Sequence, residues 1–282
     1  MSNESTYGSI SAFVASIYEQ TLFVAREQAV LPGLVRVFSD SQSLTPRVAT
    51  QYTGGTIQTL SETTDMSAQT FTPGSISALN PGIVGAQYYL TDARLSSDWN
   101  QARDDASNDL GQIMGVKMDT DLAGTFSSLT GGTVGTAGGT IAWKDIFKAQ
   151  TLLRQNAVPG PYVCVLQPGQ WYFLGTVVAF GASQSNAPGA QDRLAAGPFF
   201  QGSYYGIDFY VDANITSGTA AVGALFGRDA LGLDIRRAMR IEPQRDASRG
   251  GGGWELNLTA VYGYGVWRPT WGAKITATSV VP

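Results

Sequence analysis

Five acidic residues, Asp104, Asp105, Asp109, Asp119 and Asp121, form the densest group in this sequence that could do acid–base chemistry. Two carboxylates in different surroundings can divide a reaction between an acid and a base. Their spacing points elsewhere: they fall mainly between apolar residues that recur every three or four positions, as on the solvated face of an amphipathic helix. The usual catalytic partners are missing as well. There is no histidine, and the single cysteine, Cys164, sits in the apolar run Tyr162–Leu166. That removes Ser-His-Asp and Cys-His catalysis and any zinc site built on imidazole or several thiolates, and Cys164 reads as a small buried hydrophobe. The glycine runs Gly131–Gly139 and Gly250–Gly253 lack the Gly-Lys-Ser/Thr that holds phosphates, and Gly135-Thr136-Ala137-Gly138 does not fit a dinucleotide fingerprint. No catalytic, cofactor-binding or metal-binding residue is expected, and the chain is not expected to be an enzyme. Among the cations, Arg236, Arg237 and Arg240 form a small basic group, and Arg245 and Arg249 flank a glycine run beginning at Gly250. The first three are more natural as ion pairs between subunits than as a ligand site, and the glycine run after Arg249 allows a close chain approach.

The elements that must position such groups are long. Trp254, Leu256, Leu258, Ala260, Tyr262, Tyr264 and Val266 alternate with Glu255, Asn257, Thr259, Gly263 and Gly265. This is the period-two pattern of a strand with one buried face, roughly 40 Å long at about 3.3 Å per residue. A covering element of matched length is available in Asp98–Phe126. There Trp99, Ala102, Ala106, Leu110, Ile113 or Met114, Met118, Leu122 and Phe126 recur at helical steps, which predicts a helix of roughly 40 Å. Gly111 and Gly115 each cost about 1 kcal/mol in a helix, so they imply a kink or a close neighbour. A turn at Thr91-Asp92 should precede it.

The chain has 282 residues, 14% of them charged, and a net charge of −4. So little charge on so long a chain suggests surface covered by something other than water, with self-assembly one explanation and a rigid extracellular protein another. No basic patch is available for gripping nucleic acid, so any nucleic acid would be enclosed. No targeting segment and no stretch of membrane-spanning length is evident, and one cysteine suits a reducing cytoplasm.

In chain order, Tyr7–Val30 predicts an amphipathic helix ended before Pro32-Gly33. Thr45–Ala78 is rich in Thr, Ser, Gln and Gly, with too few bulky apolar residues for a core. It predicts an exposed β ribbon that is marginal unless it lies on another chain, with Arg47, Thr53, Gly54 and Gly55 as candidate contacts between subunits. Thr130–Thr140 reads as a linker or exposed loop. Thr140–Asn156 reads as a helix capped by Thr140, Tyr162–Leu166 as a buried strand, and Pro168 as a helix's first position. Gly181–Gly197 is loop-like, and Phe199–Val211 and Ala220–Phe226 predict strands. Leu233–Glu242 then leads into a polar hairpin tip at Arg245–Gly253. The class is α+β.

Several stretches carry a resemblance. They are Leu90-Thr91-Asp92 ahead of a long helix containing Met118-Asp119-Thr120-Asp121-Leu122, the helix and strand in Trp143–Val165, the stretch Gly197–Ile207, and Val266-Trp267-Arg268-Pro269. In this order, behind a Thr-rich ribbon, the chain resembles the major capsid proteins of tailed bacteriophages, the fold first described in phage Hong Kong ninety-seven. The resemblance implies an N-terminal arm at 1–44, an extended loop at 45–78, and a peripheral domain at 79–129 and 237–282 with the spine helix and long strand. An axial α/β domain would occupy 130–236, and Arg245–Gly253 would lie where three capsomers meet. It further implies hexamers and pentamers in an icosahedral head around double-stranded DNA, built in the host bacterial cytoplasm with a portal protein and, in some phages, a cement protein. The chain starts at Met1 with little ahead of the first helix, which implies a separate scaffolding protein. One family member welds its subunits by an isopeptide bond from a loop lysine. Here the lysines are Lys117, Lys144, Lys148 and Lys274, all outside 45–78, so a non-covalent shell is expected. An encapsulin-like compartment shares the fold and is the alternative; a tail or adhesin protein fits the long helix less well.

Overall fold

The computed structural model describes residues 29–180, 200–248 and 252–282, apart from 41, 42, 54, 64 and 71. The expected helix at Tyr7–Val30 (but for its last two residues), the loop at Gly181–Gly197, and the candidates Gly54, Arg249 and Gly250 lie outside the described residues.

The alternating stretch near the C-terminus forms strand β11, Gly253–Val266. Leu256, Leu258, Ala260 and Tyr262 are buried on one face, while Glu255, Asn257 and Thr259 are half-buried on the other. On one side it pairs antiparallel with β4, Gly82–Thr91. On the other it pairs with β10, Leu231–Asp246, a strand of 16 residues. β1, Arg36–Phe38, adds to β10 in parallel, so the sheet order is β1-β10-β11-β4.

Helix α1 covers one face of this sheet. It runs Asp92–Gly124, 33 residues and about 50 Å, followed by a 3-10 turn at Thr125–Ser128. β4 passes straight into it: no turn intervenes at Thr91-Asp92, because the Asp92 amide donates to the Gly252 carbonyl at 3.2 Å as the helix begins. Gly111 and Gly115 are buried within an unbroken helix, so they mark a close neighbour and not a break. Leu110, Met114, Leu122 and Phe126 join Leu256, Leu258, Ala260 and Tyr262 in one core. Each fully buried side chain of this kind stabilises by about 1.5–3 kcal/mol.

A second sheet has the order β5-β12-β9-β6-β8-β7. Its strands are β5 Gly132–Gly135, β6 Tyr162–Leu166, β7 Phe200–Tyr204, β8 Ile207–Val211, β9 Ala221–Gly227 and β12 Gly272–Ala277. Helices α2, Trp143–Gln155, and α3, Pro168–Phe180, accompany it. The glycine-rich stretch expected as a linker supplies β5: Gly135, at φ 75°, lies where a Cβ would come within 2.2 Å of the Thr276 carbonyl, so its glycine serves strand pairing. The single strand expected at Phe199–Val211 is a hairpin turning at Tyr205 and Gly206, both at positive φ. The non-glycine Tyr205 is supported there by its ring, edge-on to Phe147 at 4.9 Å, and by its carbonyl accepting from Gln150. α2 starts at Trp143, with Asp145 accepting from the Ala142 amide in place of the expected Thr140 cap. The Phe126 and Phe226 rings, 5.9 Å apart, join the first core to this sheet.

Candidate assembly surface

The ribbon is β2, Arg47–Thr53, paired antiparallel with β3, Thr72–Leu79. Only its base is packed: Ala49 and Leu79 are buried, whereas Tyr52, Ile57, Leu60 and Met66 are exposed. Beyond the strands, two glutamine side chains take over the pairing. Gln69 accepts from the Thr56 amide at 2.5 Å and donates to its carbonyl at 2.6 Å. Gln58 does the same to Ser67, both contacts at 3.1 Å.

Charges fix the base. Asp234, fully buried on β10, accepts from Arg47 Nε at 3.0 Å and from an Arg236 terminal nitrogen at 2.6 Å. Arg47 also pairs with Asp40 and lies over the Phe38 ring at 4.5 Å. Arg236 reaches the Thr45 carbonyl at 3.1 Å, and Ser77 donates to the Trp267 carbonyl at 2.8 Å. The Arg47 hydrogen bond holds the Asp40 carboxyl below its usual range. Burial by itself would lower the Arg47 pKa, but its two carboxylates raise it overall. Removing one partner from a buried pair such as Asp234 with Arg236 costs about 3–5 kcal/mol.

The sequence's arginine candidates therefore divide. Arg47 and Arg236 make ion pairs within the chain. Arg240 pairs with Glu242 at 3.1 Å, both exposed, and approaches Thr259 Oγ1 at 3.4 Å. Arg245 pairs with Asp92 at 2.7 Å and lies 5.7 Å from the Trp254 ring. This fastens the β10–β11 hairpin to the start of α1, where a carboxylate also suits the helix dipole. Arg237 is exposed and meets no carboxylate among the described residues. Thr53 ends β2 and Gly55 is exposed beyond it.

Within the acidic cluster on α1, Asp109 is exposed as expected of a solvated face, the side chains of Asp104 and Asp105 lie outside the described residues, and Asp119 and Asp121 correct the expectation. Asp119 is fully buried. It accepts from the Val30 amide at 2.9 Å, the Leu31 amide at 3.1 Å and Asn214 Nδ2 at 3.1 Å. Burial raises its pKa from 3.8 to about 6, against those hydrogen bonds and with a smaller push from Asp212. Asp212 is itself buried and raised by burial. Asp121 is mostly buried, accepting from Tyr262 at 2.7 Å and pairing with Lys117 at 2.5 Å. Burial, then Asp121, raises the Tyr262 pKa. Asp109 accepts from the Tyr88 hydroxyl. These carboxylates tie chain segments together. Among the described residues no group of three or more side chains is arranged to hold a metal ion. Cys164 is fully buried, and that burial pushes its thiol up, away from reactivity.

The sequence pattern gave no notice of Asp234, and it placed Asp119 on a solvated face instead of in the core. Asp234 stands two residues from Arg236 on one strand, the spacing that puts both on the same face. Asp119 stands four residues after Gly115 and three before Leu122, on the apolar side of α1.

The geometry is that of a subunit: a slab, a second sheet, a pinned ribbon with nothing over its outer half, and no reaction centre among the described residues. A family model described as phage capsid protein matches residues 82–275. The chain belongs to the phage capsid protein family. Solved capsids share its fold. The cyanophage P-SCSP1u capsid has a TM-score of 0.67 at 14% identity, over 89% of this chain and 88% of that one. Mycobacterium phage Che8 has 0.68 at 15%, over 88% and 90%. A virus-like particle from Pyrococcus furiosus has 0.61 at 10%, over 93% and 99%. No curated protein matches by sequence. The chain is a major capsid protein with the Hong Kong ninety-seven-like fold, a structural component of the virion shell built from many copies. Among the described residues of this capsid protein, no helix is long and apolar enough to cross a membrane.

Proposed function

We propose that this capsid protein closes into an icosahedral head of hexamers and pentamers around double-stranded DNA, and that its role is structural, without catalysis. The observation that carries this reading is the ribbon. Its outer half exposes Ile57, Leu60 and Met66 and packs on no other part of the chain among the described residues, which fits a surface covered by another copy. In this reading β2 and β3 form the extended loop, α1 is the spine, and β10 with β11 completes the peripheral domain. The second sheet is the axial domain at the capsomer centre, and it takes β12, Gly272–Ala277, from the stretch expected in the peripheral domain. A net charge of −4 suits DNA that is enclosed without sequence-specific grip. Assembly takes place in the host bacterial cytoplasm with a separate scaffolding protein and a portal, with a cement protein as a further clamp, and no membrane takes part.

Electron microscopy of the full-length protein, co-expressed with the other head proteins, tests the reading. Closed shells with six- and five-fold capsomers containing DNA are expected. Protein that stays monomeric under those conditions refutes it. The likeness to the Pyrococcus furiosus virus-like particle favours a second reading, an encapsulin-like compartment. Shells that carry a protein cargo and no nucleic acid would select it.

A further inference from the structure

We infer that the outward face of α2, with Lys144, Lys148 and Arg154, lies against the phosphates of the enclosed double-stranded DNA. The inference rests on the reading of a DNA-filled shell and goes beyond it by naming the surface that meets the nucleic acid and the side of the shell it occupies.

α2 buries Ile146, Ala149 and Leu153 in the core under the second sheet. Its opposite face exposes Lys144, Phe147, Lys148, Thr151 and Arg154. Two of the chain's four lysines stand there. None of the three cations pairs with a carboxylate among the described residues. The nearby acids are engaged or turned away. Asp145 accepts from the Ala142 amide at 3.0 Å. Asp208 alternates on β8 with the buried Ile207 and Phe209, so it belongs to the other face of the sheet. Asp212 is buried. The net charge of −4 is an average over the chain and does not show this stripe.

The helix itself gains little from the arrangement. Lys144 stands in the first turn of α2, where the helix dipole disfavours a cation. Lys144 and Lys148 are like charges four residues apart, which destabilise a helix. Only Arg154, in the last turn, suits the dipole. A row of cations held against local preference and left without acids is a surface for an anion outside the chain.

Duplex DNA fits that surface better than another copy does. At about 1.5 Å per residue, Lys144 and Arg154 are about 15 Å apart along the helix. Duplex DNA carries one phosphate charge per about 1.7 Å, so any duplex crossing the stripe meets several phosphates, whatever its sequence or phase. Among the described residues, the second sheet and its helices offer a neighbouring copy only Asp145, Asp208 and Asp212 in exchange, none of them fully exposed. Tyr205, 72% exposed at the β7–β8 turn, stands edge-on to Phe147 at 4.9 Å and adds a phenolic donor beside the stripe. Contacts of this kind position a duplex without reading its sequence.

The test uses full-length chains. Unassembled subunits are titrated into a fluorescent 30-base-pair duplex of about that length over a salt series starting near 50 mM. Lys144→Gln, Lys148→Gln and Arg154→Gln should each lower affinity about tenfold at the lowest salt and flatten the slope of log affinity on log salt by about 0.9. Arg237→Gln, which removes an exposed cation on the four-stranded sheet, should change neither. The triple variant should unfold in urea no earlier than wild type, which separates lost contacts from lost folding. Placement is read with Thr151→Cys, since the native Cys164 is buried and the introduced thiol reports alone. A polyethylene-glycol maleimide too large to enter the shell should label it in dissociated subunits and not in intact DNA-filled heads. An affinity and salt slope unmoved by the triple variant overturn the inference. Labelling in intact DNA-filled heads also overturns it, because the stripe then faces outward. Wild-type shells without DNA would strike the shell reading, a result the subunit titration cannot produce.

Discussion

Replacing Asp119 with asparagine should flatten the pH dependence of subunit stability between pH 5 and 7.5. The folded-state pKa of Asp119 is raised from 3.8 to about 6 because the carboxyl is buried. The folded state therefore binds this proton more tightly than the unfolded chain. The stabilisation is fully present below about pH 3.8 and is lost as pH rises through about 6. A shift of that size corresponds to about 3 kcal/mol at neutral pH. Asp212, also raised by burial, acts in the same direction. The window is clean because the chain has no histidine, the only side chain whose ordinary pKa falls there. Asparagine can accept through one oxygen only, whereas Asp119 takes the Val30 and Asn214 donors on one oxygen and the Leu31 donor on the other. At least one buried donor is then orphaned, at about 1–3 kcal/mol. The variant should accordingly be weaker than wild type at pH 5 and approach it at pH 7.5. Urea unfolding of the unassembled subunit at half-unit pH steps measures this. Wild-type stability that stays flat or rises from pH 5 to 7, or an equal slope in the Asp119→Asn variant, would refute the assignment.

Phe126→Ala removes a fully buried ring that packs on Phe226 of β9 and should lower subunit stability by about 3–5 kcal/mol, seen as one cooperative loss in chemical unfolding; separate transitions for the two sheets would contradict a core continued across them. Boiled mature particles should run on a denaturing gel as a single band near 29.9 kDa, because the ribbon's one cation, Arg47, is a guanidinium and not a usable nucleophile; a ladder that survives boiling and reductant would defeat this.

How much was legible depended on how regularly side chains repeat. β11 could be read because apolar and polar residues alternate from Trp254 to Ala260, ahead of the buried Val261 that interrupts the pattern. Its partner β10 was seen only in part, because bulges between Ile235, Arg237 and Arg240 break the period of two. α1 was found, but its first turns were not: β4 enters it directly, and Asp92 is tied by Arg245 from 153 residues away, which no local pattern encodes. The ribbon was evident from its poverty in bulky apolar residues. The charged candidates fared differently. Arg47 and Arg236 were noticed as cations, yet Asp234, the carboxylate that joins them, lies 187 residues from Arg47 and was not. Asp119 was misjudged because aspartate was read by type, although its helical spacing from Leu122 and Phe126 puts it on the buried side.

The two glutamine clasps have a mechanical consequence. A primary amide neither titrates in water nor responds to counter-ions, so the outer ribbon keeps its width and register in any buffer a virion meets. Its root is the opposite, since Asp40, Arg47, Asp234 and Arg236 hold it by charge, and the outer member of that set, the Arg47–Asp40 pair, is open to screening. The ribbon is thus a stiff lever on an ionic fulcrum. Salt or acid would therefore act at the root of the ribbon, through the exposed Arg47–Asp40 pair, and leave the clasps along it untouched.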